Sequence, residues 1–250
     1  MPNQFQSRAA VSLTVCGRFT HLYTWRQLHR LLSLHTAPPE EELPFRYNVA
    51  PTQLAPVAMM AEGGEPAIDM YRWGLVPWWS KDESAGSKMI NARAETVATN
   101  AAFREAFQQR RCLVPASGFY EWQKPEGAAR KRPWYIKPVG DDPLCFAGLW
   151  ERWKGPEGGE LRTFTIITTT PNEAMQPIHS RMPVIVAPSE YHRWLEPGSN
   201  PAELRPLLAP CAAAMLQAYP VGTRVNSPRH DDALCIEREE PSQQQQAGLW

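Results

Sequence analysis

Four short stretches of this 250-residue sequence carry side chains that can transfer protons or attack a carbonyl carbon. They contain Cys16, Asn91, Glu121 and His179, and each lies beside a segment rich in β-branched or aromatic residues. A carboxyl and an imidazole can exchange protons near neutral pH, and a thiol can act as a nucleophile. Each residue taken alone has a commoner structural role: a buried cysteine, a turn asparagine, an ion-paired glutamate or a hydrogen-bonded histidine.

Cys16 would have a second kind of chemistry as the first residue of a chain. A terminal cysteine carries an α-amine and a thiol on adjacent carbons, and together they can close a five-membered thiazolidine ring on an aldehyde. The amine titrates near pH ~8 and the thiol near ~8.5, so both are partly nucleophilic at neutral pH. An internal cysteine lacks the amine, so this chemistry depends on whether residues 1–15 precede Cys16.

Composition limits the classes of protein that this chain can belong to. Its length and its 43% hydrophobic content support one sizeable core. The 26 basic and 26 acidic residues cancel, which excludes attraction to nucleic acid or membrane by overall charge. No apolar run approaches the ~20 residues that span a bilayer, and no secretory signal is visible, so we expect a cytoplasmic protein without a membrane partner.

Cysteine spacing and glycine motifs argue against a bound metal or cofactor. The five cysteines are odd in number and lack the short spacing of a zinc or redox pair, which indicates reduced thiols. The sequence has no metal-ligand cluster, no Walker-type loop and no dinucleotide fingerprint. We therefore expect no metal, no nucleotide and no other cofactor.

The elements that position these residues are short, because 25 prolines interrupt the chain. Residues 48–52 are expected to form a loop, and the tail from Glu237 to be disordered. Apolar periodicity predicts helices from the cap Thr24 to about His35 and over 98–111, 189–194 and 202–208. Strands are predicted over 55–60, 67–73, 112–115, 118–123, 134–138, 144–150, 162–169 and 222–225. This order predicts a single α+β domain with an antiparallel, barrel-like β core flanked by short helices.

Several long motifs occur in one order that resembles the SRAP family, the SOS response-associated or abasic-site-processing proteins. They are Cys16-Gly17-Arg18-Phe19, Tyr47-Asn48-Val49-Ala50-Pro51-Thr52, Arg72-Trp73-Gly74-Leu75-Val76-Pro77-Trp78-Trp79, Cys112-Leu113-Val114-Pro115-Ala116-Ser117-Gly118-Phe119-Tyr120-Glu121-Trp122 and Phe146-Ala147-Gly148-Leu149-Trp150. The resemblance implies an SRAP domain over 16–236. It also implies recognition of abasic sites in single-stranded DNA and a covalent thiazolidine cross-link, formed through the N-terminal cysteine, that shields the lesion. We expect a monomer that joins the bacterial nucleoid during DNA damage.

Carried over residue by residue, the resemblance makes Cys16 the nucleophile and Asn91, Glu121 and His179 the other active-site groups. The residue chemistry is consistent with this assignment. His179 could move protons on the sugar oxygens during ring opening, and Glu121 could shuttle protons between the α-amine and the departing hydroxyl. Asn91 could orient the amine or a sugar oxygen without changing charge.

Arginine and tryptophan residues near these motifs are assigned to DNA, because guanidinium groups pair with phosphates and indoles stack on bases. The alternative for each arginine is an internal ion pair, with Glu95 as one candidate partner. The residues assigned to DNA binding are Arg18, Asn48, Trp78, Trp79, Arg93 and Arg181.

Two local expectations concern side chains next to these assignments. Adjacent tryptophans on a strand point to opposite faces, so one of Trp78 and Trp79 is expected to be buried and the other exposed. The run Arg130-Lys131-Arg132 is expected to be a solvated hairpin tip rather than a DNA contact.

Residues 1–15 are interpreted as a leader that the mature protein lacks. Val15 stands where the family pattern has Met, and valine is what a GTG codon encodes internally, although bacteria also start translation at GTG. A corrected start would give Met-Cys-Gly-Arg-Phe, and removal of the Met would expose the amine of Cys16. The alternative is self-cleavage between Val15 and Cys16.

Two other function classes could use the same residues. A thiol or autoproteolytic peptidase would use Cys16, Glu121 and His179 and would cleave peptide bonds repeatedly, unlike a cross-linker that stops after one DNA. A non-covalent single-stranded DNA-binding module would need the arginines and tryptophans, and Cys16 would be incidental.

Overall fold

The structure is a computed structural model that describes residues 16–34, 37–127, 129–140 and 142–240. Its α-helices are α1 (Trp25–Leu31), α2 (Arg104–Gln109), α3 (Tyr191–Leu195) and α4 (Pro201–Leu204). Its strands are β1 (Phe19–His21), β2 (Arg46–Val49), β3 (Leu54–Met60), β4 (Pro66–Trp73), β5 (Asn91–Arg93), β6 (Arg111–Ala116), β7 (Gly118–Gln123), β8 (Arg132–Pro138), β9 (Leu144–Lys154), β10 (Glu160–Thr169), β11 (Met182–Pro183) and β12 (Leu216–Pro220). None of the helices in these ranges has the length and apolarity needed to cross a membrane.

Five strands close into a mixed barrel. β3 pairs antiparallel with β4 and β6, β6 pairs with β9, and β9 pairs with β10. β10 completes the ring by lying parallel to β4, with Thr163 opposite Arg72, and it also carries β5 and β11. The predicted single α+β domain with a barrel-like core is confirmed, and the parallel pairs of β10 make the barrel mixed rather than purely antiparallel.

A second, antiparallel sheet packs against the barrel in the order β12-β8-β7-β1-β2. Aromatic side chains join the two layers: the ring of Phe19 on β1 lies 5.1 Å from that of Trp73 on β4 and 6.2 Å from that of Phe146 on β9. Cys16 belongs to the same buried cluster. Because Cys16 packs in this cluster, the burial of apolar surface also holds the backbone in place just before β1.

Most of the predicted elements are present, with corrected bounds. The cap Thr24 is confirmed, because its backbone N donates to Gln27 Oε1 at 2.9 Å and its hydroxyl accepts from Gln27 N at 3.3 Å. The helix predicted over 98–111 is too long, since α2 covers only six residues and Arg111 already begins β6. Residues 48–49, expected in a loop, end β2.

The C-terminal part of the domain differs most from expectation. The strand predicted over 222–225 is wrong, because Thr223–Asn226 is a 3₁₀ turn and β12 lies earlier. The predicted disorder from Glu237 is wrong for 237–240: Arg238 forms a bridge with Val221, and Glu239 N donates to Pro220 O at 2.9 Å. The rest of the predicted tail, 241–250, and the predicted leader, 1–15, lie outside the described residues.

Candidate functional site

Cys16 and Glu121 are in direct contact at the centre of the domain. The backbone N of Cys16 donates a hydrogen bond of 2.6 Å to Glu121 Oε1, and the two residues are 0% and 1% exposed. The contact follows from the sheet: β1 pairs with β7, and Tyr120 N donates to Arg18 O at 3.0 Å. Because side chains alternate along β7, Glu121 faces Cys16 while Tyr120 packs in a separate cluster.

His179 approaches the other oxygen of the same carboxyl group. Its Nε2 lies 3.9 Å from Glu121 Oε2, and its Nδ1 accepts a hydrogen bond from Arg181 N at 3.2 Å. A ring nitrogen that accepts a hydrogen bond carries no proton, so the neutral imidazole has its proton on Nε2, facing Glu121. The distance exceeds that of a hydrogen bond, so a small ring movement would be enough to connect the two groups.

The segment before His179 is fixed by contacts on two sides. Gln123, two residues after Glu121 on β7, donates from Nε2 to Pro177 O at 2.9 Å. Asn172 donates to Cys211 O at 3.0 Å and accepts from Met175 N at 3.0 Å. The strand that carries Glu121 therefore also sets the position of the histidine.

Burial is the largest influence on the titration of all three groups. It raises the pKa of Glu121 to about 8, against the opposing effects of the Cys16 N–H and of Lys131. Burial, and then the charge of Glu121, raises the pKa of the Cys16 thiol well above its ordinary value. Burial lowers the pKa of His179, because the imidazolium loses hydration. Near neutral pH the thiol is protonated, the imidazole is neutral, and Glu121 populates both forms.

Asn91 lies on the wall formed by β5 and β10. It is half-buried and pairs with Ile166 across these parallel strands. The indole N–H of Trp73 donates to Ile90 O at 2.9 Å, and Ile90 packs in the cluster that contains Cys16. The four predicted catalytic residues thus come from four separate stretches of the chain that surround one buried cluster.

Arg18 and Asn48 form one hydrogen-bonded unit. Arg18 Nη1 donates to Asn48 Oδ1 at 2.9 Å and to Val225 O at 2.7 Å. Asn48 is completely buried and donates from Nδ2 to Ser227 O at 3.0 Å and to His230 O at 2.7 Å. The prediction that Asn48 contacts DNA is therefore wrong for its side chain, which holds Arg18 and residues 225–230 in place.

Glu95 pairs with Arg181 and feels the charge of Arg93. Arg181 pairs with Glu95 through Nη1–Oε1 at 2.5 Å and Nη2–Oε2 at 3.0 Å, and Nη2 also donates to Thr168 O at 2.6 Å. The hydrogen bond from Arg181, more than the charge of Arg93, lowers the pKa of Glu95. Arg181 follows the ion-pair alternative, whereas Arg93 is exposed on β5 and is the better placed of the two for a phosphate.

Trp78 and Trp79 are both at the surface, 56% and 53% exposed. They lie in a turn after Pro77, so the prediction that one of them is buried is wrong. Trp78 Nε1 donates to Glu105 Oε2 at 3.0 Å, and its ring lines a pocket of about 240 Å³ together with Trp150. Both indoles are accessible to a base.

A second, open pocket of about 500 Å³ borders His179. Its lining residues are Trp122, Lys124, Lys131, Pro171, Gln176, Ile178, His179 and Ser180. The predicted solvated tip is wrong for Lys131, which is half-buried and adjoins Arg132 of the last strand pair, at the base of the β7–β8 loop and beside the site. The sequence held a signal for this: the strand predicted over 118–123 ends two residues after Glu121, so the basic loop that follows must begin close to the site. Among the described residues, no group of three or more His, Cys, Asp or Glu side chains could hold a metal ion.

Comparison with known proteins places this arrangement in a family. Residues 15–228 match the model of the SOS response associated peptidase (SRAP) family. The chain is 42% identical over 224 residues, 89% of its own length and 99% of the relative's, to the abasic site processing protein YoqW of Bacillus subtilis. It is 32% identical to the abasic site processing protein HMCES of Gallus gallus, over 76% of this chain and 65% of that one.

Solved structures share the fold. A crystal structure of a protein from Bacteroides thetaiotaomicron superposes with a TM-score of 0.78 at 26% identity and covers 90% of this chain and all of its own. One from Bordetella bronchiseptica gives 0.70 at 25% identity over 83% of this chain. Because the family model covers most of the chain and close relatives align over nearly their whole length, the chain belongs to the SRAP family.

Proposed function

We propose that this protein recognises abasic sites in single-stranded DNA and captures their open-chain aldehyde as a thiazolidine on Cys16, in a form that begins at that residue. The observation that carries the proposal is the 2.6 Å contact between the Cys16 backbone N and Glu121, with His179 beyond the same carboxyl. The names of the relatives, abasic site processing proteins, support this substrate. We assign the SRAP domain to residues 16–236 and the protein, as a monomer, to the cytoplasm and the damaged nucleoid.

Protonation states set the order of bond formation. The buried thiol is protonated, whereas an α-amine at the position of the Cys16 N would lie against a carboxyl whose pKa is about 8. The amine therefore attacks C1′ of the aldehyde first, after passing a proton to Glu121. The C1′ hydroxyl takes up a proton and leaves as water, and the sulfur then adds to the imine carbon. The thiol proton moves to the imine nitrogen as the ring closes, and one water is lost overall.

His179 and Asn91 act on the sugar before this attack. An abasic deoxyribose is mostly a cyclic hemiacetal, so its C1′–O4′ bond must break while O4′ gains a proton and the C1′ hydroxyl loses one. The neutral imidazole with its proton on Nε2 is suited to donate to O4′, and Glu121 can return a proton to it. Asn91 orients the sugar by hydrogen bonding without changing charge.

The backbone at Cys16 also favours a chain that starts there. The φ angle of Cys16 is +47°, in the left-handed region that costs a non-glycine residue roughly 1 kcal/mol. This dihedral exists only while a residue precedes Cys16, so the strain disappears when residue 16 is the first. A corrected start and self-cleavage after Val15 would both give this form.

The same geometry argues against a thiol peptidase that cleaves other peptide chains repeatedly. A peptidase cysteine reacts as a thiolate, which requires a lowered pKa and a partly exposed sulfur. Cys16 has neither feature, since its side chain is buried and its thiol pKa is raised.

Intact-protein mass spectrometry tests the proposal. Protein translated from Met placed at position 15 is incubated with a single-stranded oligonucleotide that contains one abasic site, beside the full 250-residue chain. We expect the form that begins at Cys16 to give a mass equal to protein plus DNA less one water, stable to heat and dilution. The full chain, if it keeps residues 1–15, should give no such adduct.

Two variants separate the alternatives. Cys16→Ser keeps the amine and should give only an imine, which reverses on dilution but is trapped by borohydride. If Cys16→Ala binds the DNA as strongly as the wild type does, and neither protein forms a covalent species, the protein is a non-covalent binding module instead. An oligonucleotide with uracil in place of the abasic site is the matched control.

A further inference from the structure

Two lysines flank the loop of the β7–β8 hairpin. Lys124 directly follows Gln123 and Lys131 directly precedes Arg132, the last strand pair, and both lysines line the pocket beside His179. Neither makes an ion pair with any described residue, whereas Arg132 pairs with Glu239 at 3.1 Å. Two cations at the base of one loop, without an ion-pair partner among the described residues, are available to an anionic ligand.

The rest of the pocket matches a nucleotide rather than a simple ion. Trp122 contributes an indole whose Nε1 donates to Asn226 Oδ1 at 2.7 Å, which fixes the ring beside the lysines. Ser180 adds a hydroxyl, and the volume of about 500 Å³ is large enough for a base and its phosphate. An indole next to cations is the combination that holds a base by stacking and its backbone by charge.

Lys131 is also close to the reacting groups. It is half-buried, and its positive charge lowers the pKa values of both Glu121 and His179. Because Lys131 and His179 line the same pocket, a phosphate held by Lys131 would adjoin a sugar placed between His179 and Cys16.

We propose that Lys124 and Lys131 bind the phosphate of the nucleotide that adjoins the abasic sugar, and that Trp122 stacks on its base. The inference rests on the proposed function and adds the path of the strand, which enters the site across the β7–β8 hairpin. It also assigns a DNA-contact role to Lys131, which was expected in a solvated hairpin tip.

The test compares the full chain with the double variant Lys124→Gln/Lys131→Gln, using fluorescence anisotropy of a single-stranded abasic oligonucleotide over a salt series. Loss of two phosphate contacts should reduce the slope of log affinity against log salt by about 1.4. Between 50 and 200 mM salt the wild type should then lose about sevenfold more affinity than the variant. The control Arg30→Gln/Lys154→Gln removes two exposed charges outside the pocket and should keep the wild-type slope.

A change on the DNA side identifies the phosphate. Replacing the phosphate on one side of the lesion, and then on the other, with an uncharged methylphosphonate should weaken wild-type binding for one of the two. The double variant should be insensitive to that same replacement. Its melting temperature should stay close to that of the wild type, since neither lysine makes an ion pair with a described residue.

The outcomes are distinguishable. Equal salt slopes, or a double variant as sensitive to methylphosphonate as the wild type, would overturn this inference, while cross-linking by the form that begins at Cys16 would leave the proposed function intact. A wild type that neither binds nor cross-links abasic DNA in any form would overturn the proposed function and this inference with it.

Discussion

A carboxyl group without solvent contact keeps its negative charge only at a cost in free energy, and Glu121 is in this position. Its two oxygens face different partners, the Cys16 N–H at 2.6 Å and the His179 ring at 3.9 Å. The same burial that destabilises the charged form brings its pKa to about 8, where a group can both accept and return a proton near neutral pH. The property that suits Glu121 to proton transfer therefore also reduces the stability of the fold.

This cost predicts how stability changes with pH. The pKa of Glu121 is about 8 in the folded chain, whereas that of an unfolded glutamate is near ~4.3, so the folded state binds the extra proton between these values. The contribution is fully present below pH ~4 and is lost as pH rises through about 8, by up to about 5 kcal/mol. Because glutamine does not ionise, Glu121→Gln should gain stability relative to the wild type from pH 5 to 8.

Urea unfolding of the full chain at several pH values measures this difference. The matched variant Glu126→Gln removes an exposed carboxyl from the same hairpin and should follow the wild-type curve. Parallel curves for Glu121→Gln and the wild type would show that Glu121 ionises normally, which would remove the basis for its role as a proton shuttle.

Among the short elements, α2 and α3 end on a common side chain. Arg111 is buried and donates to Phe107 O at 2.6 Å, Gln108 O at 2.8 Å and Trp194 O at 2.7 Å, with a further bond to Glu196 O. Carbonyls at a helix C-terminus have no partner within the helix, so a single guanidinium satisfies the ends of two helices and attaches them to β6. This clamp helps to explain how helices of six and five residues persist.

Removing the clamp should destabilise the whole domain. We expect Arg111→Met to lower the free energy of unfolding by about 3 kcal/mol, because four carbonyls lose their donor in a buried site. Arg111→Lys should lose roughly half as much, since it keeps the charge but not the planar set of donors. Urea titration with comparison of m-values measures both, and Arg104→Met, exposed at the start of α2, is the control. A loss no larger than that of Arg104→Met would contradict the clamp.

The segment 223–236 is a second element held by single side chains. Asp231 accepts from Tyr47 N at 2.5 Å and from Asn48 N at 2.9 Å, and the Asn48 side chain bonds back to residues 225–230. Through these contacts the segment supports Arg18 and, by way of Asn226, Trp122. The segment 223–236, which contains no strand, therefore positions Arg18 and Trp122 near the site.

Loosening this segment should affect binding more than the barrel. Asn48→Ala should cost about 2 kcal/mol and speed amide exchange over 223–236, while exchange in β10 shifts only with global stability. Arg18 would lose one acceptor, so affinity for single-stranded DNA should fall as well. Hydrogen-exchange mass spectrometry, with α2 as internal reference, checks the first effect. Unchanged exchange over 223–236 would mean that Asn48 does not hold the segment.

At the scale of the whole molecule, local sequence patterns predicted where helices and strands lie better than they predicted which elements pack or pair together. The strand over 118–123 was predicted at its observed bounds, because glycine and lysine frame a run of aromatic residues, and the Thr24 cap follows from local hydrogen bonding. The helix predicted over 98–111 failed because tertiary contacts override its periodicity: residues 94–103 fold as turns that begin with Ala94 N bonded to Thr168 O.

The site was predictable in its residue types but not in its contacts. Motif order indicated Cys16, Glu121 and His179, and these three lie together. The burial of Asn48 depends on residues 225–230, about 180 positions away, and Arg181 pairs with Glu95, 86 positions away. Such pairings are decided by how the barrel closes, which no local pattern encodes.

Closure of the barrel depends on β10, and this predicts where the molecule is most stable. β10 pairs with β9 on one edge and with β4 and β5 on the other, so Ile166 N donates to Ile90 O while Ile166 also lies opposite Gly148. A strand bonded on both edges in a closed ring cannot open alone, so its amides should exchange only when the whole domain unfolds. The free energy of exchange at Ile166 and Ile167 should therefore equal the free energy of unfolding from urea titration.

Gly148→Ala tests whether the ring unfolds as one unit. A Cβ at Gly148 would lie 2.9 Å from Thr165 O and 2.9 Å from Cys112 Sγ, so the variant must displace β10 or β6 and lose stability. We expect the free energies of exchange in β10 and of global unfolding to fall by the same amount, about 1–3 kcal/mol, while the faster exchange over 223–236 changes less. In either protein, the free energy of exchange in β10 could instead be lower than that of global unfolding. This result would show that the barrel opens locally between β10 and its neighbours. Asn91 on the adjoining β5 would then lack a fixed position.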